Sequence, residues 1–190
     1  MVKSGKHKGY VRIISGEWRS RRIPVADVPG LRPTGDRVRE TLFNWLQTYL
    51  PGSRCLDLFA GTGILGIEAV SRGAASAVLL EKHHVAVAAM EKIVASLEAA
   101  SIEVLQANAL TYLGGARERK YDIVFIDPPF DVNIQEEVMN LLAENELLSA
   151  GAIVYVESAV KQQPPEAPVG WQPLQNKTIG EVRSQLFRFT

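Results

Sequence analysis

The order of apolar and polar segments predicts an α/β fold built on a mainly parallel β-sheet. From residue 54 onward, short apolar segments alternate with longer segments whose apolar residues recur at helical spacing. Such alternation is typical of parallel strands joined by helices that cover both faces of a sheet. Two further extended segments, at about 170–176 and 182–189, close the chain and predict an antiparallel pair at the sheet edge.

The residues before this pattern have a different character. Residues 1–9 contain almost nothing to bury, so we expect them to be disordered. Residues 10–25 alternate weakly around Ser15-Gly16, which predicts a small β-hairpin. A proline-punctuated loop follows, and Thr34 or Asp36 is expected to cap a helix that runs to about Leu50.

The elements of the α/β region are bounded by local signals. Each predicted strand is a short run rich in aliphatic residues, and the helices between them end near glycine or polar residues. The predicted strands cover residues 54–59, 77–80, 102–106, 121–126 and 151–157. The predicted helices cover residues 64–72, 83–100 and 133–143.

Size and composition are those of a folded water-soluble domain. The chain has 190 residues, of which 46% are apolar and 22% charged, enough for one domain with a short extension. The single cysteine, Cys55, excludes an intramolecular disulfide bond. No apolar run approaches the roughly 18 residues of a membrane span, and no apolar stretch follows the basic N-terminus as in a signal peptide. We therefore expect a cytoplasmic protein with no membrane partner.

The net charge of zero conceals an uneven distribution of charge. Residues 1–40 hold ten Lys and Arg against four Asp and Glu, a net charge of +6, whereas the other 150 residues carry −6. A basic segment on an otherwise acidic protein indicates a polyanionic partner, although a solvated basic tail has the same composition. We divide the chain into a basic arm, residues 1–32, and a main domain, residues 33–190.

A glycine-rich turn follows the first strand of the main domain. Residues Gly61 to Gly66 read G-x-G-x-x-G, which lets a ligand approach the backbone closely but also serves as a simple tight turn. The Lys-Ser/Thr pair of a Walker loop is missing, because Gly66 is followed by Ile67-Glu68, so ATP or GTP hydrolysis is disfavoured. A dinucleotide and S-adenosylmethionine are the candidate cofactors.

Two acidic residues at strand ends bear on this choice. Glu81 can accept hydrogen bonds from the ribose hydroxyls of either cofactor. Asp57 stands four residues before Gly61, where its charge would repel a pyrophosphate but suit the amino and sulfonium groups of S-adenosylmethionine. An aspartate that only satisfies turn amides is the structural alternative.

The fourth strand of the main domain ends in Asp127-Pro128-Pro129-Phe130, at the edge where α/β sheets bind ligands. The prolines fix the backbone, so Asp127 and the carbonyl of Pro128 can both accept hydrogen bonds from one amino group. Phe130 offers a face for stacking a planar base. Two acceptors on a nucleobase amino group favour a pyramidal nitrogen whose lone pair attacks a methyl group. A rigid loop with a capping aspartate is the alternative.

These motifs resemble those of class I S-adenosylmethionine-dependent methyltransferases, whose D-P-P-F is the amino-methylating motif. Residues 33–44 (Pro-Thr-Gly-Asp-Arg-Val-Arg-Glu-Thr-Leu-Phe-Asn) and 12–16 (Arg-Ile-Ile-Ser-Gly) narrow the resemblance to the bacterial 16S ribosomal RNA guanine-N2 methyltransferases of the RsmD type. The likeness covers about residues 10–190 and includes Gly180-Glu181-Val182 and Leu186-Phe187. It implies a Rossmann-like fold with a mostly parallel seven-stranded sheet, an antiparallel C-terminal edge and an N-terminal β-hairpin extension.

The resemblance also implies roles for individual residues. Asn108-Ala109 matches the position where an acidic residue often receives the adenine amino group, and the side-chain oxygen of Asn108 can still accept that bond. The residues expected to hold the amino acid part of the cofactor are Asp57, Phe59, Ala60, Gly61, Thr62 and Gly63; Glu81 is expected at its ribose and Lys82 beside its adenine. The expected catalytic residues are Asp127, Pro128, Pro129 and Phe130. The residues expected to contact RNA are Arg12, Trp18, Arg19, Arg21, Arg22, Arg32 and Arg37.

The expected function is methylation of the N2 amino group of a guanine in the 16S rRNA of the small ribosomal subunit, by a monomer without a metal. The adjacent His83-His84 do not share a helix face and lack further ligands. Arg37 and Arg39 could face the active site or only the solvent. Other functions fit some of the motifs: an adenine-N6 or other amino methyltransferase acting on DNA or protein, a nicotinamide oxidoreductase, and a non-catalytic RNA-binding assembly module.

Overall fold

The structure is a computed structural model that describes residues 9–28, 34–115 and 119–190. The predictions made for residues 1–8, for Arg32 and for the boundary between residues 32 and 33 lie outside the described residues. The strands are β1 (Tyr10–Arg12), β2 (Arg22–Pro24), β3 (Arg54–Asp57), β4 (Ser76–Glu81), β5 (Ile102–Gln106), β6 (Tyr121–Ile126), β7 (Leu148–Ala159), β8 (Gln172–Ile179) and β9 (Val182–Arg188). The helices are α1 (Asp36–Leu46), α2 (Ile64–Ser71), α3 (His84–Ser96), α4 (Ala109–Leu113) and α5 (Gln135–Glu144).

The central sheet has seven strands in the order β5-β4-β3-β6-β7-β9-β8. The strands from β5 to β7 in that order are parallel, and β9 is antiparallel to both of its neighbours. Strands β1 and β2 form a separate antiparallel hairpin. The chain reverses direction across the sheet between β3 and β6, which creates a crevice at the carboxyl ends of the strands. The predicted fold is confirmed, including the antiparallel C-terminal edge and the N-terminal hairpin.

The first helix differs from its prediction at both ends. The N-cap residue is Gly35, without a side-chain cap, so the prediction of Thr34 or Asp36 at that position is wrong. Thr34 directs its hydroxyl to another strand instead, as described below. At the other end α1 stops at Leu46, and the backbone continues as a hydrogen-bonded turn in which the Leu50 amide donates to the Leu46 carbonyl over 3.1 Å.

Two other boundaries differ from their predictions, and one short helix was not predicted, each for a local reason. Helix α3 ends at Ser96 rather than near residue 100, because Glu98 has a φ of 54°, which a right-handed helix does not tolerate. Strand β7 begins at Leu148, three residues earlier than predicted, and passes through Gly151 at a φ of 75°. Helix α4 was not predicted, because its five residues are too few to show helical periodicity.

Two hydrophobic layers cover the sheet, because successive strand residues point to opposite faces. Cys55, Leu79, Phe125 and Tyr155 face the layer that contains the hairpin and helices α1, α2 and α3. The alternate residues of the same strands face the second layer, which contains α4 and α5. Because the faces alternate, the residue two positions after each of these four also lies on the α1 side of the sheet.

The hairpin is packed into the first layer. Val11, Ile13 and Ile23 are buried there together with the apolar face of α1. The turn of the hairpin docks on the last residue of α2: the Glu17 amide donates to the Ser71 carbonyl over 2.8 Å, and the Ser71 hydroxyl donates to the Ser15 carbonyl over 2.8 Å. Removing residues 1–24 would therefore also remove part of the core.

Gly16 makes this docking possible. Its φ of 88° lies in the left-handed region, and a Cβ at this position would stand 1.8 Å from the carbonyl oxygen of Ser71. No side chain fits between the hairpin and α2. The Ser15-Gly16 pair that predicted a turn thus also brings the arm into contact with the main domain.

Arg39 lies at the centre of the first layer and faces neither the active site nor the solvent, which corrects both expectations for it. Its side chain has no exposed surface and pairs with the carboxylate of Glu68, which is also fully buried, and with Asp36 at 2.6 Å. The guanidinium also donates to the backbone carbonyls of Arg12 at 2.9 Å and Thr34 at 3.2 Å. One side chain therefore connects the hairpin, the segment before α1, and α2.

We expect Arg39→Met to destabilise the protein by about 2–3 kcal/mol, because it leaves Oε2 of the buried Glu68 without a donor while Arg72 still pairs with Oε1. Urea unfolding followed by circular dichroism measures this loss. The matched control is Arg37→Met, two residues away on the exposed face of α1, which should change the free energy of unfolding by less than about 0.5 kcal/mol. Equal losses in the two variants would refute the structural role of Arg39.

Candidate functional site

A cavity of about 1070 Å³ opens at the carboxyl ends of β3, β4 and β6. Its walls also include the start of α1 and the turn between β8 and β9. All the residues predicted from the sequence to bind the cofactor or to act in catalysis line this cavity, except Gly63. Those lining it are Asp57, Phe59, Ala60, Gly61, Thr62, Glu81, Lys82, Asn108, Ala109, Asp127, Pro128, Pro129 and Phe130.

The three glycines of the turn have different structural roles. Gly61 lines the cavity at a φ of 54°. Gly63 caps α2 at a φ of 77°, and a Cβ there would stand 3.0 Å from the sulfur of Met90. A Cβ at Gly66 would stand 2.1 Å from Leu79 on β4. Gly61 therefore lets a ligand approach the backbone, while Gly63 and Gly66 let α2 pack closely on the sheet.

Asp57 ends β3 and is almost completely buried. Its Oδ2 accepts a hydrogen bond from the Gly66 amide at 3.3 Å, whereas Oδ1 has no partner among the described residues. Burial, followed by the charge of Asp127, raises the pKa of Asp57 to about 7 against the opposing effect of the Gly66 amide. The hydroxyl of Thr62, also buried, lacks a partner in the described structure as well. Both atoms are suited to a polar, positively charged ligand group.

Glu81 ends β4 and organises the turn as well as lining the cavity. Its Oε2 accepts from the Gly61 amide at 3.1 Å, and its Oε1 accepts from the His83 amide at 2.9 Å. Each carboxylate oxygen keeps a further lone pair. Glu81 can therefore hold the turn and still accept hydrogen bonds from ligand hydroxyls.

Asn108 has a structural role besides its place in the cavity wall. Its side-chain oxygen accepts from the Thr111 amide at 3.2 Å and so caps α4. The exposed side chain still lines the cavity. An N-cap side chain is favoured at that position whether or not a ligand is bound, which is why an asparagine here does not by itself identify a binding residue.

Asp127 follows β6 and connects to the segment that carries the family resemblance. The buried hydroxyl of Thr34 donates to Asp127 Oδ2 over 2.7 Å, across 93 residues of sequence. Burial raises the pKa of Asp127, and the hydrogen bonds from Thr34 and Glu157 oppose that shift. Since the carbonyl of Thr34 is held by Arg39, the position of Asp127 depends on the same buried network as the hairpin.

The loop that carries Phe130 is supported by residues that sequence reasoning missed. Gln162 donates to the Phe130 carbonyl at 2.8 Å and accepts from the Ala159 amide at 3.2 Å. Arg183, on β9, donates to the carbonyls of Ala159, Val160 and Gln162. No local sequence signal marks these contacts, because they join segments brought together only by the antiparallel edge of the sheet.

Glu157 is the other residue that the sequence analysis overlooked. It lies on β7, lines the cavity, and is buried. The Tyr155 hydroxyl donates to its Oε2 at 2.9 Å and lies 3.0 Å from the hydroxyl of Ser184. The sequence did contain a signal: the strand predicted at 151–157 ends in Glu157, just as Glu81 and Asp127 directly follow the strands predicted at 77–80 and 121–126.

The residues predicted to contact RNA are distributed along the α1–α2 side of the molecule. Arg37 lines the cavity, and Arg12, Arg19 and Arg22 are exposed on or near the hairpin. Arg21 donates to the Ser96 carbonyl at the end of α3, at 3.0 Å. Trp18 is half-buried against the first hydrophobic layer. Helix α2 separates the docked hairpin turn, which carries Arg19, from the cavity by roughly 10 Å, so Arg19 and Arg37 lie at separate places on the surface.

Residues 11–188 match the family model described as Conserved hypothetical protein 95. Ribosomal RNA small subunit methyltransferase D from Escherichia coli (strain K12) is 45% identical over 189 residues, which cover 98% of this chain and 95% of that protein. The protein of the same name from Haemophilus influenzae is 43% identical over 190 residues, which cover 98% of each chain. The chain belongs to the ribosomal RNA small subunit methyltransferase D family.

The structure agrees with this membership. The solved structure of yhhF from Escherichia coli matches the chain with a TM-score of 0.89 at 42% identity, and the match covers 95% of this chain and 98% of that one. The family resemblance drawn from Asp127–Phe130 and residues 33–44 is thus confirmed. Within residues 9–28, 34–115 and 119–190, no helix is long and apolar enough to cross a membrane. No group of three or more His, Cys, Asp or Glu in those ranges could hold a metal ion.

The raised pKa of Asp57 predicts a change in how stability depends on pH. In the native state this carboxyl keeps its proton up to about pH 7, whereas its ordinary pKa is 3.8. Its contribution to stability is therefore present at low pH and is lost as the pH rises from about 4 to about 7. We expect the free energy of unfolding of Asp57→Asn to fall over that range by about 3–4 kcal/mol less than that of the wild type, as measured by urea unfolding.

Asp122→Asn is the matched control for this experiment. Burial would raise the pKa of Asp122, but hydrogen bonds from Arg54 and Ser149 outweigh it and the pKa is lowered. That variant should keep the wild-type pH slope between about 4 and 7. A slope in Asp57→Asn that matches the wild type would show that Asp57 ionises normally in the folded protein.

Proposed function

We propose that this protein transfers a methyl group from S-adenosylmethionine to the N2 amino group of a guanine in the 16S rRNA of the small ribosomal subunit. The observation that carries the proposal is that Asp127–Phe130 and the acidic, glycine-rich turn line one cavity. The relatives named Ribosomal RNA small subunit methyltransferase D support the choice of substrate. In this proposal the chain acts in the cytoplasm as a monomer.

The residues of the cavity fit S-adenosylmethionine. Asp57 Oδ1 and the Thr62 hydroxyl, both buried without partners among the described residues, suit the amino acid part of the cofactor. Glu81 suits the ribose hydroxyls, and the wall formed by Lys82, Asn108 and Ala109 suits the adenine. When bound, S-adenosylmethionine supplies a methyl group on a positively charged sulfur, which the acidic surroundings stabilise.

The Asp127 loop orients the substrate amino group. The guanine leaves its stack to reach the cavity, as a base must for chemistry at its edge, and stacks on Phe130. Asp127 and the Pro128 carbonyl accept its two amino hydrogens and point the nitrogen lone pair at the methyl carbon. The reaction is a direct displacement, so catalysis rests mainly on position and on the exclusion of water.

RNA binding is assigned to the basic residues of the arm and to Arg37 at the cavity. Arg12, Arg19, Arg21, Arg22 and Arg32 supply positive charge for phosphate contacts, and the exposed part of Trp18 can contact a base. Phosphate contacts of this kind position the substrate without reading its sequence. Because Arg39 is neutralised by Glu68 and Asp36, it contributes nothing to this surface.

The substrate class is tested by offering tritiated S-adenosylmethionine together with small ribosomal subunits, free 16S rRNA, duplex DNA and a protein mixture. We expect tritium to appear in small subunits or in free 16S rRNA, in a methyl group on the N2 amino group of guanine. Transfer to DNA or protein would replace the proposal with another amino methyltransferase. RNA binding without transfer to any substrate would make the protein a non-catalytic module.

We expect Asp127→Ala to lower methyl transfer by about 100-fold or more, since it removes an acceptor that acts in the transition state. Calorimetry should show that S-adenosylmethionine still binds. Burial and then the charge of Asp127 raise the pKa of Asp57, so loss of the Asp127 charge favours the ionised Asp57 that suits the cofactor. Asp122→Ala, at the opposite end of β6, should keep wild-type turnover. Near-wild-type turnover in Asp127→Ala would remove the loop from the mechanism.

The arm makes a separate prediction about salt dependence. We expect Arg19→Gln combined with Arg22→Gln to reduce the slope of log affinity for small-subunit RNA against log salt by between about 1 and 2, roughly one counterion for each lost phosphate contact. These surface changes leave the buried Val11, Ile13 and Ile23 in place, which deletion of the arm would not. Lys177→Gln, on edge strand β8, should keep the slope. A slope unchanged in the double variant would take the arm out of the interface.

A further inference from the structure

Glu157 stands beside Asp127 without a role in the reaction described so far. Strands β6 and β7 are parallel and pair Ile126 with Val156, so Asp127 and Glu157 occupy the next position on neighbouring strands. Both side chains line the cavity, and they are hydrogen-bonded to each other. Burial of Glu157 leaves 3% of its surface exposed.

A hydrogen bond between two carboxyl groups requires a proton on one of them, because an ionised carboxylate only accepts. Two carboxylates held together in a buried site cannot both be charged without a large penalty. The pair therefore holds at least one proton, and the difference in burial between the two residues decides on which of them it lies.

Burial places the negative charge on Asp127, because Asp127 is only half-buried whereas Glu157 is 3% exposed, and each carboxyl has one hydroxyl donor. The Thr34 hydroxyl donates to Asp127 Oδ2 at 2.7 Å, which stabilises the ionised form of that carboxyl. Tyr155 donates to Oε2 of Glu157 at 2.9 Å, which leaves Oε1 to carry a proton toward Asp127. The hydrogen bond from Glu157 and that from Thr34 both act to lower the pKa of Asp127.

We propose that Glu157 remains a neutral carboxylic acid at neutral pH and donates a hydrogen bond to Asp127, so that the pair carries one negative charge, on Asp127. The inference rests on the proposed function for its consequence, since it assigns Asp127 its charge and orientation toward the amino group. Glu157 is thus a positioning residue that acts through Asp127.

The chemical step is then balanced within the site. The amino nitrogen forms a bond to the methyl carbon as the carbon–sulfur bond breaks, and the electron pair stays on sulfur. The positive charge passes to the nitrogen, which releases one proton to the Asp127 carboxylate. The pair ends the step neutral, and no second base is required.

Other charged and titratable groups surround the pair. Asp57 and Glu81 face the same cavity from β3 and β4, and Tyr155 lies on β7 itself. The Arg183 side chain points away from the pair. Arg183 lies opposite Ser158, not Glu157, in the register of β7 with β9, and it donates to the loop after β7. The remaining charged residues that line the cavity are Asp36, Arg37, Lys82, His83, Asp131 and Glu181.

Glu157→Gln tests the proposal, because glutamine is a neutral isostere that can still donate to Asp127. We expect its single-turnover rate of methyl transfer to small ribosomal subunits to stay within about threefold of the wild type, with an unchanged pH profile. Glu157→Ala removes the donor, so the acidic limb of its profile should move upward by about one pH unit or more. Glu137→Gln, on the exposed face of α5, is the matched control.

Infrared spectroscopy of the full chain without substrate provides an independent readout. The measurement is made in an Asp57→Asn background, because Asp57, whose pKa is raised to about 7, would give the same signal at neutral pH. In that background we expect the carbonyl stretching band of a protonated carboxylic acid at neutral pH, its persistence when Glu137→Gln is added, and its loss when Glu157→Gln is added. A band unchanged in Glu157→Gln, or a Glu157→Gln rate reduced by about 100-fold as for loss of a catalytic base, would overturn the proposal. If the band is lost with Glu157→Gln as expected but the wild type methylates no guanine, the proposed function fails and the proton assignment stands.

Discussion

Four parallel strands deliver four carboxyl groups to one edge of the sheet, and this convergence governs the site. Asp57 and Glu81 end β3 and β4, Asp127 follows β6, and Glu157 lies two residues before the end of β7. All four are on the side covered by α1 and line the cavity. Like charges in a buried place repel, so each group has an assigned donor: backbone amides for Asp57 and Glu81, Thr34 for Asp127, and Tyr155 for Glu157. The remaining negative charge of the cavity favours a positively charged cofactor and the edge of a base that donates hydrogen bonds.

The buried guanidinium of Arg39 makes this arrangement depend on the N-terminal segment. It bonds the hairpin at the Arg12 carbonyl, the Thr34 carbonyl and the carboxylate of Glu68 on α2. Thr34 in turn bonds Asp127, and α2 supplies the amide that bonds Asp57. The segment that distinguishes this family by sequence is therefore part of the catalytic side of the molecule, and the hairpin is more than a basic extension.

The sequence was sufficient for the parts of the structure that local rules decide. Strand–helix alternation predicted the sheet, and the glycine turn and Asp127–Phe130 predicted the place of the cavity. It was insufficient where distant segments meet. A charge count only placed Arg39 among the basic residues of segment 1–40, although its partner Glu68 lies 29 residues away in α2. From the sequence, Thr34 was a candidate helix cap and Glu157 the end of a strand. Their partners could not be predicted, because these contacts depend on the pairing of β6 with β7 and on the packing of α1.

The most direct test of the account is mass spectrometry of nucleosides from small-subunit RNA of cells with and without this protein. The account predicts that N2-methylguanosine at one position in 16S rRNA is present only when the protein is present, and that Asp127→Ala in the same cells abolishes it. Equal N2-methylguanosine in both cell types, or the loss of a different methylated nucleoside, would contradict the assignment of the cavity to a guanine amino group.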